Sequence, residues 1–117
     1  MSVIYKICPA AEWRAAEAAG IYSGSAVDRR DGFIHFSTAA QVRETAARHF
    51  AGQSDLTLIS VDPAKLGAAL KWEPSRGGAP FPHLYADLPL AAVLQADPLP
   101  LDASGRHVFP GPEIPPN

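Results

Sequence analysis

The sequence predicts a small α+β domain, a mixed or antiparallel sheet with two main helices. Three observations carry this expectation. At 117 residues the chain is long enough for one domain with a real core but too short for a second domain. Runs rich in β-branched and aromatic residues recur at Val3–Cys8, Leu56–Val61 and Phe81–Tyr85. Two segments between them show helical spacing together with residues that start and stop helices. The single domain is expected over residues 1–97, with a proline-rich tail, 98–117, partly packed on it.

The elements follow in order. Val3–Cys8 reads as a central strand with one charged member, Lys6. Pro9 takes the first position of a helix over Ala10–Ala19, closed by Gly20, with Trp13, Ala16 and Ile21 facing the core. Residues 22–30 mix Ser, Gly, Asp and Arg without a period and read as a loop with at most one helical turn, Tyr22 overhanging the site. Asp31-Gly32 is a turn, Phe33–Phe36 a short buried strand, and Ser37-Thr38 a helix start, with Thr38 and Gln41 forming a capping box. That helix runs to about Phe50 on an apolar stripe of Val42, Ala46, His49 and Phe50. Leu56–Val61 is a strand, Asp62-Pro63 opens a helical turn, and Leu70–Glu73 is a brief strand. Pro74–Pro80 reads as a flexible loop, in the position of a lid. Phe81–Tyr85 follows, with Pro82 confining it to an edge or a first strand position. A further strand, or strand and turn, is expected over Leu90–Gln95.

Composition narrows the function classes. A formal net charge of −2 leaves no basic footprint for nucleic acid. Cys8 is the only cysteine, which excludes an intramolecular disulfide and a cysteine-based zinc cage. No stretch approaches the ~20 apolar residues that span a bilayer, and Lys6 and Pro9 interrupt the apolar start that a secretory signal requires. A cytoplasmic protein with a small-molecule or nucleotide ligand is the expectation. No motif specifies the oligomeric state.

His35 and His83 are the residues most suited to chemistry. Each sits in an aromatic-framed strand, and imidazole both donates and accepts protons near neutral pH. A single strand histidine is ordinarily half-buried and satisfied by a carbonyl. Two of them, with Ser37, Tyr85 and Glu73 close in the pattern, point to one polar cluster in an apolar cleft. At a strand-to-helix junction His35 and Ser37 would lie beside free backbone N–H groups, an anion-binding position. Glu73 is the leading carboxylate, Trp72 could stack on a planar ring, and Arg76-Gly77-Gly78 could wrap a phosphate. Lys6, charged inside a strand, must be paired or reach the surface along its stem. No spaced metal motif is present, and Ser37 lacks the Gly-x-Ser-x-Gly turn of a hydrolase nucleophile.

Ile4-Tyr5-Lys6-Ile7, then Trp13, Gly20 and Tyr22, then Asp31–Ser37 with Gln41, then Trp72-Glu73 and Phe81–Tyr85, resemble the bacterial family called domain of unknown function 952. The resemblance runs from about Val3 to Val93, and Lys6 stands where many members carry His after Ile-Tyr. The family has been grouped by fold with the ADP-ribosyltransferases, so the resemblance implies such a fold and a site for NAD or ADP-ribose. It further implies His35, His83 and Glu73 as the catalytic set, with Lys6, Tyr22, Ser37, Trp72, Arg76 and Tyr85 around the cofactor. In that reading nicotinamide leaves, an oxocarbenium ion forms at the ribose, and a carboxylate stabilises it. Two alternatives stand beside it: a non-catalytic nucleotide or small-ligand binding module, and a hydrolase using His35 and His83 as an acid–base pair.

Overall fold

Strand β1 (Ile4–Pro9) runs directly into helix α1 (Ala10–Ala19), because Pro9 stops the strand and its φ of −56° leads into a helix. Pro9 is therefore the N-cap rather than the first helical residue. Gly20 closes α1 in the left-handed conformation, its N–H bonded to the Ala16 carbonyl at 2.9 Å. The chain continues through β2 (Ile21–Tyr22), α2 (Ala26–Asp31), β3 (Ile34–His35), β4 (Ser37–Thr38), α3 (Val42–His49) and β5 (Leu56–Val61). After two short 3-10 turns come β6 (Leu70–Ser75), β7 (Ala79–Leu84), β8 (Leu88–Pro89) and β9 (Val93–Pro98). This computed structural model describes residues 2–75 and 78–110.

All strand pairs named here are antiparallel. They form a four-stranded sheet in the order β4-β1-β5-β9, a three-stranded sheet β3-β7-β6, and the pair β2-β8. Side chains alternate across a strand, so the apolar run of β1 serves two cores. Ile4 and Cys8 join Trp13, Tyr22, Phe36 and Leu84 on one side, while Tyr5 and Ile7 join Val42, Ala46 and Leu99 on the other. Lys6 lies between Ile4 and Cys8 and shares their side. Burial pushes the Cys8 thiol up to about 12, against the pull of Lys6, so Cys8 packs as a small neutral side chain.

Several expectations are corrected. Ile21 is exposed instead of facing the core, and residues 74–75 and 79–80 are the ends of β6 and β7 instead of loop. Residues 22–30 are not a loop: they hold part of β2 and most of α2, giving three α-helices among the described residues rather than two. A capping box starts α2, in which the Asp28 N–H donates to Ser25 Oγ and the Ser25 N–H donates to the Asp28 carboxylate at 2.9 Å. Ser37-Thr38 do not begin a helix. They pair as a strand with Tyr5 and Ile4, and α3 starts only at Val42. Half of the expected Thr38–Gln41 box survives, the Thr38 N–H donating to Gln41 Oε1 at 3.0 Å across the turn before α3.

Pro82 lies in β7, the central strand of its sheet. The Phe36 N–H donates to the Pro82 carbonyl at 3.0 Å, so the Pro82 nitrogen faces the same side. With no hydrogen there to return to Phe36, the β3–β7 ladder ends at His35 and the chain leaves for the other sheet as β4. Of the C-terminal segment, Leu99 is buried in the second core, and His107 places Nε2 2.9 Å from the Gln53 carbonyl.

Candidate functional site

Among the described residues β4 pairs only with Ile4 and Tyr5, so from Lys6 onward β1 has a described strand neighbour on the β5 side alone. Helix α2 fills the opening and places Asp28 over Lys6. Gly24 makes that approach feasible: its φ is +102°, and a Cβ there would sit 2.8 Å from the Asp28 Cβ.

Asp28 is saturated. Lys6 Nζ donates to both of its oxygens, at 2.9 and 2.7 Å, and His35 Nδ1 lies 2.6 Å from Oδ1. The backbone N–H groups of His35 and Ser25 add bonds of 3.1 and 2.9 Å. Burial opposes the charge, but the His35 and Lys6 contacts and the Ser25 N–H outweigh it, holding the carboxyl well below the usual carboxylate range. The other ring nitrogen of His35, Nε2, lies 3.0 Å from Asp31 Oδ2. Asp31 is itself held ionised, chiefly by Arg30 with help from His35. The His35 ring is thus held between two carboxylates, one at each ring nitrogen.

His35 and His83 are direct cross-strand partners. The His35 N–H turns to Asp28 and the next residue bonds to Pro82, so this is a non-hydrogen-bonded pair, the kind that brings side chains closest. Their ring centroids are 5.6 Å apart. Phe33 packs against both, stacked on His83 at 4.1 Å and tilted on His35 at 4.6 Å, and it touches Tyr85 at 5.1 Å. His83 Nδ1 lies 2.7 Å from Glu73 Oε1, and the Tyr85 hydroxyl donates to the same oxygen at 2.7 Å. These bonds, Tyr85 first, lower the Glu73 pKa, and Glu73 in turn raises that of Tyr85.

Of the residues singled out from sequence, His35, His83, Glu73, Tyr85 and Lys6 therefore belong to one connected network. Tyr22 does not overhang it: the ring is 2% exposed and packs on Trp13 in the core, where burial raises its pKa. Its hydroxyl and Trp13 Nε1 are buried without a well-formed hydrogen bond, the Cys8 thiol being only a soft neighbour. Trp72, 48% exposed, alternates with Lys71 and Glu73 and so points away from the face that carries His83. Ser37 is buried and bonded to Thr45 Oγ1 at 2.7 Å instead of sitting at a helix start, which removes the expected anion position. Arg76 and Gly77 lie outside the described residues. Asp28 and Phe33 are the functional candidates that sequence reasoning missed. The signal for Asp28 was Ser25-Ala-Val-Asp28, a capping-box spacing.

The model of a protein family of unknown function, DUF952, matches residues 7–96. The chain belongs to the DUF952 family. This DUF952 protein is also similar to the X-ray structure of protein CC0527 from Caulobacter crescentus, at 53% identity over 91% of this chain and 93% of that one, with a TM-score of 0.87. The solution NMR structure of CC0527 is 54% identical over 89% and 90% of the two chains, with a TM-score of 0.80. A comparison with curated proteins gives no match.

A cleft of about 600 Å3 opens beside the network, between α2, β1, the β3–β4 crossing and α3. Lys6, Asp31, His35 and Ser37 line it, with apolar walls from Val27 and Phe50. His83 lies behind Phe33 and is 6% exposed. Among the described residues no group of three or more His, Cys, Asp or Glu side chains is placed to hold a metal ion, and no helix is long and apolar enough to cross a membrane.

Proposed function

We propose that this DUF952 protein is an acid–base enzyme that hydrolyses a small ester or phosphodiester at the cleft, with His35 as the acid and His83 as the base. One observation carries the reading: two cross-strand imidazoles each have Nδ1 against a carboxylate, at 2.6 and 2.7 Å, yet their second nitrogens are treated differently. His35 Nε2 meets Asp31 Oδ2 at 3.0 Å. Among the described residues no hydrogen bond is made by His83 Nε2, and in the proposed scheme Glu73 accepts from Nδ1–H, which leaves the lone pair on Nε2.

In this scheme the substrate displaces Asp31 from His35. His83 Nε2 takes a proton from water, the hydroxide oxygen bonds to the acyl or phosphoryl centre, the ester C–O or P–O bond breaks, and His35 protonates the departing oxygen. Phe33 must turn off the His83 ring, and it follows Gly32, which ends α2 at φ +87°. Asp28 is a positioning residue: its lone pairs are committed, so it orients His35 and stabilises its charge.

An NAD or ADP-ribose site of the ADP-ribosyltransferase kind is less well supported. It needs Lys6, Tyr22 and Trp72 on one ligand, whereas Lys6 is committed to Asp28, Tyr22 is in the core and Trp72 faces away. The test is a panel of nitrophenyl esters, lactones and cyclic phosphodiesters assayed across pH, with nicotinamide release from NAD measured on the same sample. The expected result is a bell-shaped kcat/KM profile, lowered roughly 10²–10⁴-fold by His35→Gln or His83→Gln in variants that still unfold cooperatively. No turnover of any panel member, or wild-type rates in both variants, overturns the proposal. Nicotinamide release that is insensitive to either change would restore the NAD reading.

A further inference from the structure

In the hydrolysis proposed above, the departing oxygen takes the place of Asp31 Oδ2, 3.0 Å from His35 Nε2. The alcohol portion of the substrate then continues from Asp31 into the cleft, and three walls define what it meets there. On α2, Val27 and Asp31 are four residues apart, so they share a face one turn apart, and both line the cleft. On β1, Tyr5 pairs with Ser37 and Ile7 stands two residues farther from β4. On α3, Thr45 bonds to Ser37 at the β4 end, while Phe50 closes the helix beyond it. Each of these steps covers about 5–8 Å. All three lead from the His35 end of the cleft to Val27, Ile7 and Phe50.

The polar side chains at the His35 end hold one another. Lys6 is bonded to Asp28, Arg30 to Asp31 and Ser37 to Thr45. One turn on, the walls are apolar: Val27 is 48% exposed and Phe50 is half-buried. An alkyl chain laid there takes their surface out of water, which favours binding in proportion to the area covered. Beyond Phe50 the rim turns polar again, with Gln53 Nε2 donating to the His49 carbonyl at 3.4 Å. The apolar stretch is therefore short.

The geometry points to an ester whose alcohol is a short unbranched alkyl chain, butyl to hexyl, with Val27 as the specificity-determining residue. This rests on the acid–base reading and names its substrate. Hydroxide oxygen bonds to the acyl or phosphoryl centre, the ester bond breaks, the departing oxygen takes its proton from His35, and the free alcohol leaves along Val27 and Phe50. Discrimination lies in the leaving group, because that is the half attached at His35.

The test is hydrolysis of methyl, butyl, hexyl and decyl acetate by the full chain, followed by the acetate released. From methyl to hexyl acetate kcat/KM should rise at least tenfold, mainly through KM, and decyl acetate should gain nothing further. Val27→Trp fills the cleft from its wall and should lower the hexyl-to-methyl ratio at least tenfold. Val27→Thr keeps the shape, adds a hydroxyl and serves as the second variant; it should lower the ratio severalfold. Equal kcat/KM for methyl and hexyl acetate, or a ratio unaltered in both variants, overturns the inference and leaves the acid–base proposal standing. Backbone amide NMR with 1-hexanol at about 10 mM separates the two failures without turnover. Hexanol should shift Val27, Ile7 and Phe50, and methanol at the same concentration should not. If no ester is hydrolysed, the acid–base proposal falls; hexanol shifts at these residues then still support the alkyl subsite, and their absence overturns it.

Discussion

The two histidine–carboxylate pairs have nearly the same Nδ1 distance, 2.6 Å to Asp28 and 2.7 Å to Glu73, but opposite burial. In the first the carboxylate is buried and the imidazole is 30% exposed at the side chain; in the second the imidazole is buried and the carboxylate is 37% exposed. A buried carboxylate is tolerated only when its lone pairs are taken, which is why Asp28 draws in Lys6, His35 and the Ser25 N–H. An exposed carboxylate has water as a partner, so Glu73 needs only His83 and Tyr85. The same local chemistry therefore holds the fold together in one place and only orients a ring in the other.

The comparison breaks most visibly at Asp28. Asp28→Ala leaves Lys6 buried without its partner and should cost about 3–5 kcal/mol in urea unfolding. Adding Lys6→Met to it should recover only part of the loss, because the His35 and Ser25 N–H groups still lack an acceptor. Full recovery would mean that the ion pair alone, and not the whole set of donors, makes Asp28 structural.

Acid is the next lever. The Asp28 pKa is lowered in the fold, so its contribution is fully present above the ordinary aspartate pKa and is lost as pH falls below about 4 toward the folded value. Urea midpoints measured from pH 5 to pH 2 should fall steeply in the wild type, and the Asp28→Ala variant should show a shallower slope. Parallel slopes would remove Asp28 as the group responsible.

Phe33→Ala acts on the second pair. Removing the Phe33 ring should cost about 0.5–1.5 kcal/mol for each aromatic neighbour it packs against. Carbethoxylation of His83 by diethyl pyrocarbonate, mapped by mass spectrometry, should become faster as the imidazole is uncovered. An unchanged rate would show that Phe33 is not what shields His83. Smallest of all, Glu73→Gln should leave the urea midpoint close to that of the wild type. It should let the Tyr85 phenol titrate nearer its ordinary pKa of about 10, since Glu73 is what raises it. Ultraviolet absorbance can follow that change, because Tyr5 and Tyr22, the other two tyrosines, are buried.

Much of the scaffold was legible because its signals are local. Helix α1 ends where Gly20 demands, and β5 spans the apolar run Leu56–Val61. The shared side of His83 and Tyr85 follows from the period of two, and Phe33 touches both. The misread segments were those in which a distant partner outweighed the local signal. Ser37-Thr38 look like a helix start, but β1 offered them a ladder. Pro82 looks like an edge residue, yet β3 is so short that the missing donor falls where pairing stops. Asp28 was hidden in a polar stretch because its meaning lies with Lys6, 22 residues away in sequence.

By itself the sequence determined the α+β class, the family, and the two strands on which the histidines stand, since period, punctuation and motif are properties of neighbouring residues. Only the tertiary structure decided that Lys6 and Asp28 meet, that His35 and His83 stand opposite each other behind Phe33, and that a cleft opens where β4 stops covering β1. The physical reason is that a side chain's charge and protonation state depend on what is packed against it, and those neighbours arrive from every part of the chain.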